Sequence, residues 1–204
     1  MTRHSTLLLA TLLLGITACD KTEPTADAKT EAKTDQRTVA SGLDLDMRFA
    51  AFNIINCESG DQYCQVCKYG PSPKIMAVGT IDDEAFKQDL KDLDALVKKY
   101  GDDKLKVFAV IASAHDGALV TPTSGDKDQL QAAAKALKEE LGLSFPVVLP
   151  AAKGDAQNGI FEDHYQVKLS RTIMFADGQN KVKYSEVAPA DKASLDAAIK
   201  AALG

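Results

Sequence analysis

The sequence predicts an α/β fold, a mixed central sheet with helices on both faces and a β-hairpin at its N-terminal side. Three observations predict it. Residues 74–81 and 105–113 are short, nearly unbroken apolar runs of the kind that form strands buried on both faces. A segment of helical periodicity follows each run before the next strand, so the strands must lie parallel. Residues 172–176 and 181–187 flank the turn Asp177-Gly178-Gln179-Asn180 and read as a closing antiparallel hairpin.

The elements follow in order. Residues 49–56 (Phe-Ala-Ala-Phe-Asn-Ile-Ile-Asn) are apolar and β-prone, Ser59-Gly60-Asp61 is a turn, and 62–66 returns as the second arm of a hairpin. After the strand at 74–81, Asp82 or Asp83 caps a helix whose Phe86, Leu90, Leu93, Leu96, Val97 and Tyr100 recur at helical spacing until Gly101 stops it. The second strand, 105–113, leads through a polar loop to a helix over 127–141, ended by Gly142. Residues 145–149 make a third strand. The last helix, 191–203, places Leu195, Ala198, Ile199 and Leu203 on one face.

The N-terminal region carries a different pattern. Arg3 and His4 precede an apolar run over 7–15, too short to span a membrane, which takes roughly 20 residues. Ile16-Thr17-Ala18-Cys19 then resembles a lipobox. The resemblance implies a signal peptide over 1–18, cleavage before Cys19, and acylation of its thiol and new amino group. Asp20, next to it, resembles the inner-membrane retention residue of enteric bacteria. Residues 19–41, rich in Thr, Ala, Lys, Glu and Asp without apolar periodicity, read as a disordered tether with a reach of roughly 25 Å. Residues 42–204 then form one domain. The expected location is a bacterial cell envelope, lipid-anchored and facing the periplasm or exterior.

Chemistry concentrates in Cys57-Glu-Ser-Gly-Asp-Gln-Tyr-Cys64-Gln-Val-Cys67-Lys-Tyr-Gly70. A Cys-x-x-Cys pair forms a small disulfide ring that opens and closes readily, the commonest mark of thiol–disulfide chemistry. With Cys19 lipidated, three cysteines remain in an oxidising compartment, and an odd number leaves one thiol over. Net charge is −5 with no basic stripe, which argues against a nucleic-acid partner. No phosphate-binding glycine loop and no hydrolase spacing of Ser and His residues is present, and no cofactor is implied.

The stretch Tyr165-Gln-Val167-Lys-Leu-Ser-Arg171-Thr172-Ile-Met-Phe-Ala-Asp177-Gly178 resembles the segment Tyr-x-Val-x-Gly-x-Pro-Thr, strand, Asp-x-x-Gly of the redoxin branch of the thioredoxin superfamily. That branch holds peroxiredoxins and the membrane-tethered thioredoxins of cytochrome maturation. The resemblance covers about residues 48–204 and implies a thioredoxin-like fold. It departs from the family pattern twice. In typical members the Cys-x-x-Cys follows the first central strand, at the start of a helix; here Cys64 and Cys67 precede that strand, and Gly70, Pro71 and Pro73 stop any helix continuing past Cys67. The usual catalytic position falls instead on Thr80-Ile81-Asp82-Asp83. Arg171 stands at the cis-proline position, where some peroxiredoxins are similar in carrying an active-site arginine. No thiol faces it, which disfavours peroxidase chemistry and leaves an ion pair with Asp82 or Asp83, or a solvated arginine beside helix-capping aspartates.

Three functional readings remain open at this level. In the first, Cys64 and Cys67 cycle between dithiol and disulfide on protein thiol or disulfide substrates. Cys57 is then a resolving or relay thiol, Tyr63, Lys68 and Tyr69 border the site, and analogy makes Cys64 the attacking residue. In the second, the domain is a non-catalytic binding or accessory module with a structural disulfide. In the third, Cys57, Cys64 and Cys67 bind a metal with His115 or His164 as fourth ligand.

Overall fold

The computed structural model describes residues 39–121, 126–151 and 160–204. The expected signal peptide, the expected lipidation site Cys19 and most of the expected tether lie outside the described residues. The described residues begin a little before the expected domain boundary at Gly42. Ser41 is buried, and its Oγ hydrogen-bonds Thr172 Oγ1 and accepts the Lys168 and Leu169 N–H groups.

The strands are β1 (Asn53–Asn56), β2 (Gln62–Cys64), β3 (Lys74–Gly79), β4 (Lys106–Ile111), β5 (Ser113–His115), β6 (Ala118–Val120), β7 (Val147–Pro150), β8 (Thr172–Ala176) and β9 (Val182–Val187). The helices are α1 (Gln65–Tyr69), α2 (Glu84–Tyr100), α3 (Lys127–Leu141) and α4 (Ala193–Leu203), with a single π-helical turn at Ile160–Tyr165. Seven strands form one sheet in the order β2-β1-β7-β4-β3-β8-β9. β3 pairs parallel with β4, and β4 with β7; the other neighbours pair antiparallel.

The crossovers β3-α2-β4 and β4-α3-β7 step the same way across the sheet. Right-handed connections that step the same way put their helices on the same face. Accordingly Phe86, Leu90 and Leu93 of α2, Ala134 and Leu137 of α3, and Leu195 and Ile199 of α4 share one core layer with Ile75, Ala77, Val107 and Ala109. The opposite face is covered by shorter pieces. Leu43, Phe49, Phe52, Val66 of α1 and Tyr165 of the π-helical turn pack on Ile54, Met76, Val78, Phe108 and Val110. Tyr165 donates its hydroxyl to the Ala50 carbonyl at 2.6 Å and meets Phe49 and Phe52 edge to face.

Asp83 is the N-cap of α2, accepting the Phe86 N–H at 3.1 Å, as the spacing predicts, and Gly101 and Gly142 end α2 and α3. Three expectations need correcting. The second arm of the N-terminal hairpin stops at Cys64, because Gln65 and Val66 open α1. The predicted strand over 49–56 is regular only from Asn53, since Phe49 and Phe52 are spent as plugs on the second face. The polar loop after β4 contains a small hairpin, β5–β6, turning at Asp116 (φ 50°) and Gly117 (φ 80°); Asp-Gly is a favoured dipeptide for such turns.

Gly79, the last residue of β3, lies directly under the Phe86 ring. A Cβ there would come within 2.6–2.8 Å of three ring atoms of a side chain that has no exposed surface to escape into. Gly79→Ala is expected to destabilise the fold by about 1–3 kcal/mol. The measurement is a lower urea midpoint with an unchanged slope.

Candidate functional site

Chemistry-bearing side chains gather in two places. In the chain between the edge strand β2 and β3 lies the cysteine turn. Cys64 closes the hairpin strand β2 and is the N-cap of α1 in extended geometry (φ −89°, ψ 109°); its Sγ accepts the Cys67 N–H at 3.0 Å. Cys64 and Cys67 are joined as a disulfide, with their Cα atoms 5.2 Å apart. Cys67 is exposed and Cys64 half-buried. Val66 between them is buried in the second core layer, which orients the turn.

The far end of α1 is tied down as well. Gly70, at φ 53°, donates its N–H to the Val66 and Cys67 carbonyls. The Tyr69 hydroxyl donates to the Val107 carbonyl at 2.8 Å, and burial raises its pKa. Lys68 places its ammonium 4.8 Å from the centre of the Tyr63 ring, a cation–π contact, and the Tyr63 hydroxyl accepts Asn56 Nδ2 at 3.1 Å.

Cys57 does not join this pair. It follows β1 and packs in the core layer under α2 and α3, while Cys64 packs against the opposite layer. Burial, and secondarily the Glu58 carboxylate, pushes the Cys57 thiol up to about 12, so it holds its proton at neutral pH and is a poor nucleophile. The proposed metal trio is therefore split between two faces of the sheet, and no group of three metal-ligating side chains occurs among the described residues. His115 stands on the β5–β6 hairpin beside Asp116, and His164 contacts the Arg48 carbonyl.

At the C-terminal end of β3, Thr80, Asp83 and Ser170 meet. Thr80 donates its N–H to Ser170 Oγ at 3.4 Å, and the Ser170 hydroxyl donates to Asp83 Oδ2 at 2.8 Å. Asp82 is exposed. Arg171 does not pair with Asp82 or Asp83. Its Nε reaches Asp89 Oδ2 at 2.7 Å and its Nη2 reaches Asp89 Oδ1 at 3.2 Å. Lys192 adds a second cation, 2.8 Å from Asp89 Oδ1. The hydrogen bond to Asp89 raises the Arg171 pKa further above its ordinary value. Arg171 sits at φ 61°, a left-handed conformation that an arginine adopts only where its surroundings hold it. A cis proline could not satisfy this place, and no cis peptide occurs among the described residues. Asp89 escaped the sequence reading, although it lies on the apolar stripe of α2 between Phe86, Leu90 and Leu93. A carboxylate on such a stripe requires a buried partner.

With fold and site described, the likeness to solved structures is unambiguous. A candidate thiol:disulfide interchange protein DsbE from Chlorobium tepidum superposes with a TM-score of 0.58 at 22% identity, covering 79% of this chain and 99% of that one. The thioredoxin domain of a thiol-disulfide oxidoreductase from Bacteroides vulgatus gives 0.58 at 12% identity, over 79% and 99%. A thiol-disulfide isomerase from Corynebacterium glutamicum gives 0.56 at 14%, over 81% and 97%. The chain has a thioredoxin-like fold. No family model matches the chain, and no curated protein matches it in sequence. In this thioredoxin-like domain the Cys-x-x-Cys lies at the junction of the edge strand β2 with α1, and the Arg171 cluster lies beyond the C-terminal end of β3. No helix among the described residues is long and apolar enough to cross a membrane.

Two outcomes are expected from the buried charges. Asp89 has a 3% exposed side chain facing two cations, so Asp89→Ala removes the carboxylate that Arg171 and Lys192 share and leaves Lys192 only the more distant Asp92, at 3.9 Å. A loss of about 3 kcal/mol in unfolding free energy is expected by chemical denaturation. Lys74, buried at the start of β3, has its pKa pushed down to about 8 by burial against the opposing pull of Asp177. Between pH 8 and the ordinary value of 10.5 the unfolded chain holds a proton that the folded chain has released. The Lys74 contribution to stability is therefore fullest above pH 10.5 and is lost as pH falls to 8. The unfolding free energy of the wild type should rise relative to Lys74→Met across that window and run parallel to it below pH 7.

Proposed function

We propose that this chain is a thiol–disulfide exchange protein whose working couple is Cys64–Cys67, held near a bacterial membrane by a lipid on Cys19. The observation that carries the reading is the asymmetry of the disulfide: Cys67 is exposed, whereas Cys64 is half-buried with its sulfur accepting a backbone N–H. That asymmetry supports a division of labour opposite to the one analogy assigns. A client thiolate attacks Cys67 Sγ, the Cys64–Cys67 bond breaks, and the electron pair leaves on Cys64, where the Cys67 N–H stabilises it. A second client thiolate attacks the client sulfur of the mixed disulfide and expels Cys67. The client is oxidised by two electrons, the protein is reduced by two, and the two client protons end on Cys64 and Cys67. The same steps run backwards reduce a client disulfide.

The thioredoxin-like fold and the exchange activities named for its structural neighbours support a substrate class of protein thiols and disulfides. The lipid tether rests on the run Ile16-Thr17-Ala18-Cys19 and the polar segment after it. A second reading, a purely structural disulfide, draws on one observation. The bond staples the edge strand β2 to α1, and no cysteine stands among Thr80-Ile81-Asp82-Asp83, the residues aligned with the usual catalytic position.

The deciding measurement is the reduction potential of the couple in the full chain, by equilibration in thiol buffers, alkylation and mass mapping. Exchange predicts a value between roughly −120 and −270 mV; a value below about −300 mV makes the bond structural and overturns the proposal. The roles are read from single variants with oxidised glutathione. Cys67 in Cys64→Ser should form the mixed disulfide faster than Cys64 in Cys67→Ser, and the reverse order would return attack to Cys64.

A further inference from the structure

Lys74 is unused by the exchange chemistry, yet it has no exposed surface and opens the central strand. An ammonium is removed from water only at a cost of several kcal/mol unless its protons find acceptors. It finds two. Nζ donates to the Gly70 carbonyl at 2.8 Å and to Asn180 Oδ1 in the β8–β9 turn, with Asp177 of the same turn as the nearby opposite charge.

Gly70 is the residue on which the cysteine turn closes. Its N–H bonds the Cys67 carbonyl at 3.1 Å and the Val66 carbonyl at 3.2 Å, while its own carbonyl is held by Lys74. The β8–β9 turn also presses on the next residue, for a Cβ on Gly178 would lie 2.7 Å from the Pro71 carbonyl oxygen. The chain leaving Cys67 is thus gripped between the first residue of β3 and the β8–β9 turn.

We propose that Lys74 is a positioning residue for the Cys64–Cys67 couple: by holding the Gly70 carbonyl it keeps the turn closed on Cys67 and the two sulfurs within bonding reach. The inference deepens the exchange reading of that couple and rests on it for its functional meaning. With the clamp removed, each thiol meets the other at a lower effective concentration, and the disulfide becomes easier to reduce.

The test compares the reduction equilibria of the wild type, Lys74→Met and Asn180→Gly in dithiothreitol and glutathione buffers. Exposed Lys91→Met serves as the charge control, and circular dichroism and thermal melts report folding. Glycine is chosen at 180 because Asn180 sits at φ 62°. Lys74→Met is expected to lower the equilibrium constant for disulfide formation about tenfold, a shift of about 30 mV toward easier reduction. Asn180→Gly should shift it less in the same direction, and Lys91→Met not at all. A folded Lys74→Met within twofold of the wild type overturns the proposal, as does an unshifted Asn180→Gly should Lys74→Met fail to fold. A lowered melting temperature without a change in equilibrium marks Lys74 as merely structural. The two readings fail separately. A wild-type disulfide that glutathione buffers do not reduce sinks exchange while a tenfold shift in dithiothreitol keeps Lys74 in its positioning role. An exchange-range potential with no shift does the opposite.

Discussion

The rest of the structure depends on one constraint, that β3 be covered on both faces and paired on both edges. All six of its residues are buried, and it is hydrogen-bonded to β4 on one side and β8 on the other. A strand so enclosed has no freedom of register: a one-residue slip would trade Ile75 and Ala77, which face α2–α4, for Met76 and Val78, which face the second layer. Because β3 cannot slide, whatever is attached to its two ends is placed as rigidly as the core itself. Six residues at about 3.3 Å each separate those ends by about 20 Å.

The two ends are stabilised by different physics. At the C-terminal end of β3 a buried carboxylate is over-compensated by two cations and a left-handed arginine backbone is tolerated, an arrangement that favours rigidity over reactivity. Around the cysteine turn and the start of β3 the polar contacts are mostly single hydrogen bonds: the Cys67 N–H to Cys64 Sγ, the Tyr69 hydroxyl to the Val107 carbonyl and the Lys74 ammonium to the Gly70 carbonyl. Bonds of that kind are worth about 1 kcal/mol each, somewhat more when one partner is charged. Under the proposed exchange function, a turn held this way opens and re-forms its covalent link without dismantling the core beneath it.

The strand and helix order was legible because it follows from local pattern: continuous apolar runs at β3 and β4, a 3.6-residue stripe on α2, and Asp83 and Gly101 as its stops. Elements shorter than one period were not. α1 has five residues, too few for periodicity to show, and it forms because Val66 reaches the core and Gly70 closes the turn. The β5–β6 hairpin is the converse case, since its Asp116-Gly117 signal stood in a segment otherwise read as polar loop. The Cys64–Cys67 pair was visible from spacing alone, whereas the exclusion of Cys57 depends on alternation along β1. Ile54 and Ile55 point to opposite layers, and the chain beyond Asn56 delivers Cys57 to the layer that Cys64 does not share. The Arg171–Asp89 pair joins residues 82 positions apart, and no local rule connects them.

A cysteine pair at the start of a long helix draws on several aligned peptide dipoles to stabilise its thiolate. α1 has only five residues and no acidic group in its first turn. Cys64 therefore depends on one N–H, that of Cys67, rather than on a macrodipole. A single hydrogen bond is only as effective as its geometry is constant, because its strength falls steeply with angle and distance. The burden shifts to whatever fixes the backbone on either side of Cys67. Upstream that is Val66 in the core; downstream it is Gly70, clamped by a lysine that the fold buries at a cost. A buried ammonium is hard to account for in the hydrophobic economy of β3. It is readily accounted for if the proposed exchange turn, which Lys74 holds through Gly70, needs a fixed backbone more than the core needs another apolar side chain.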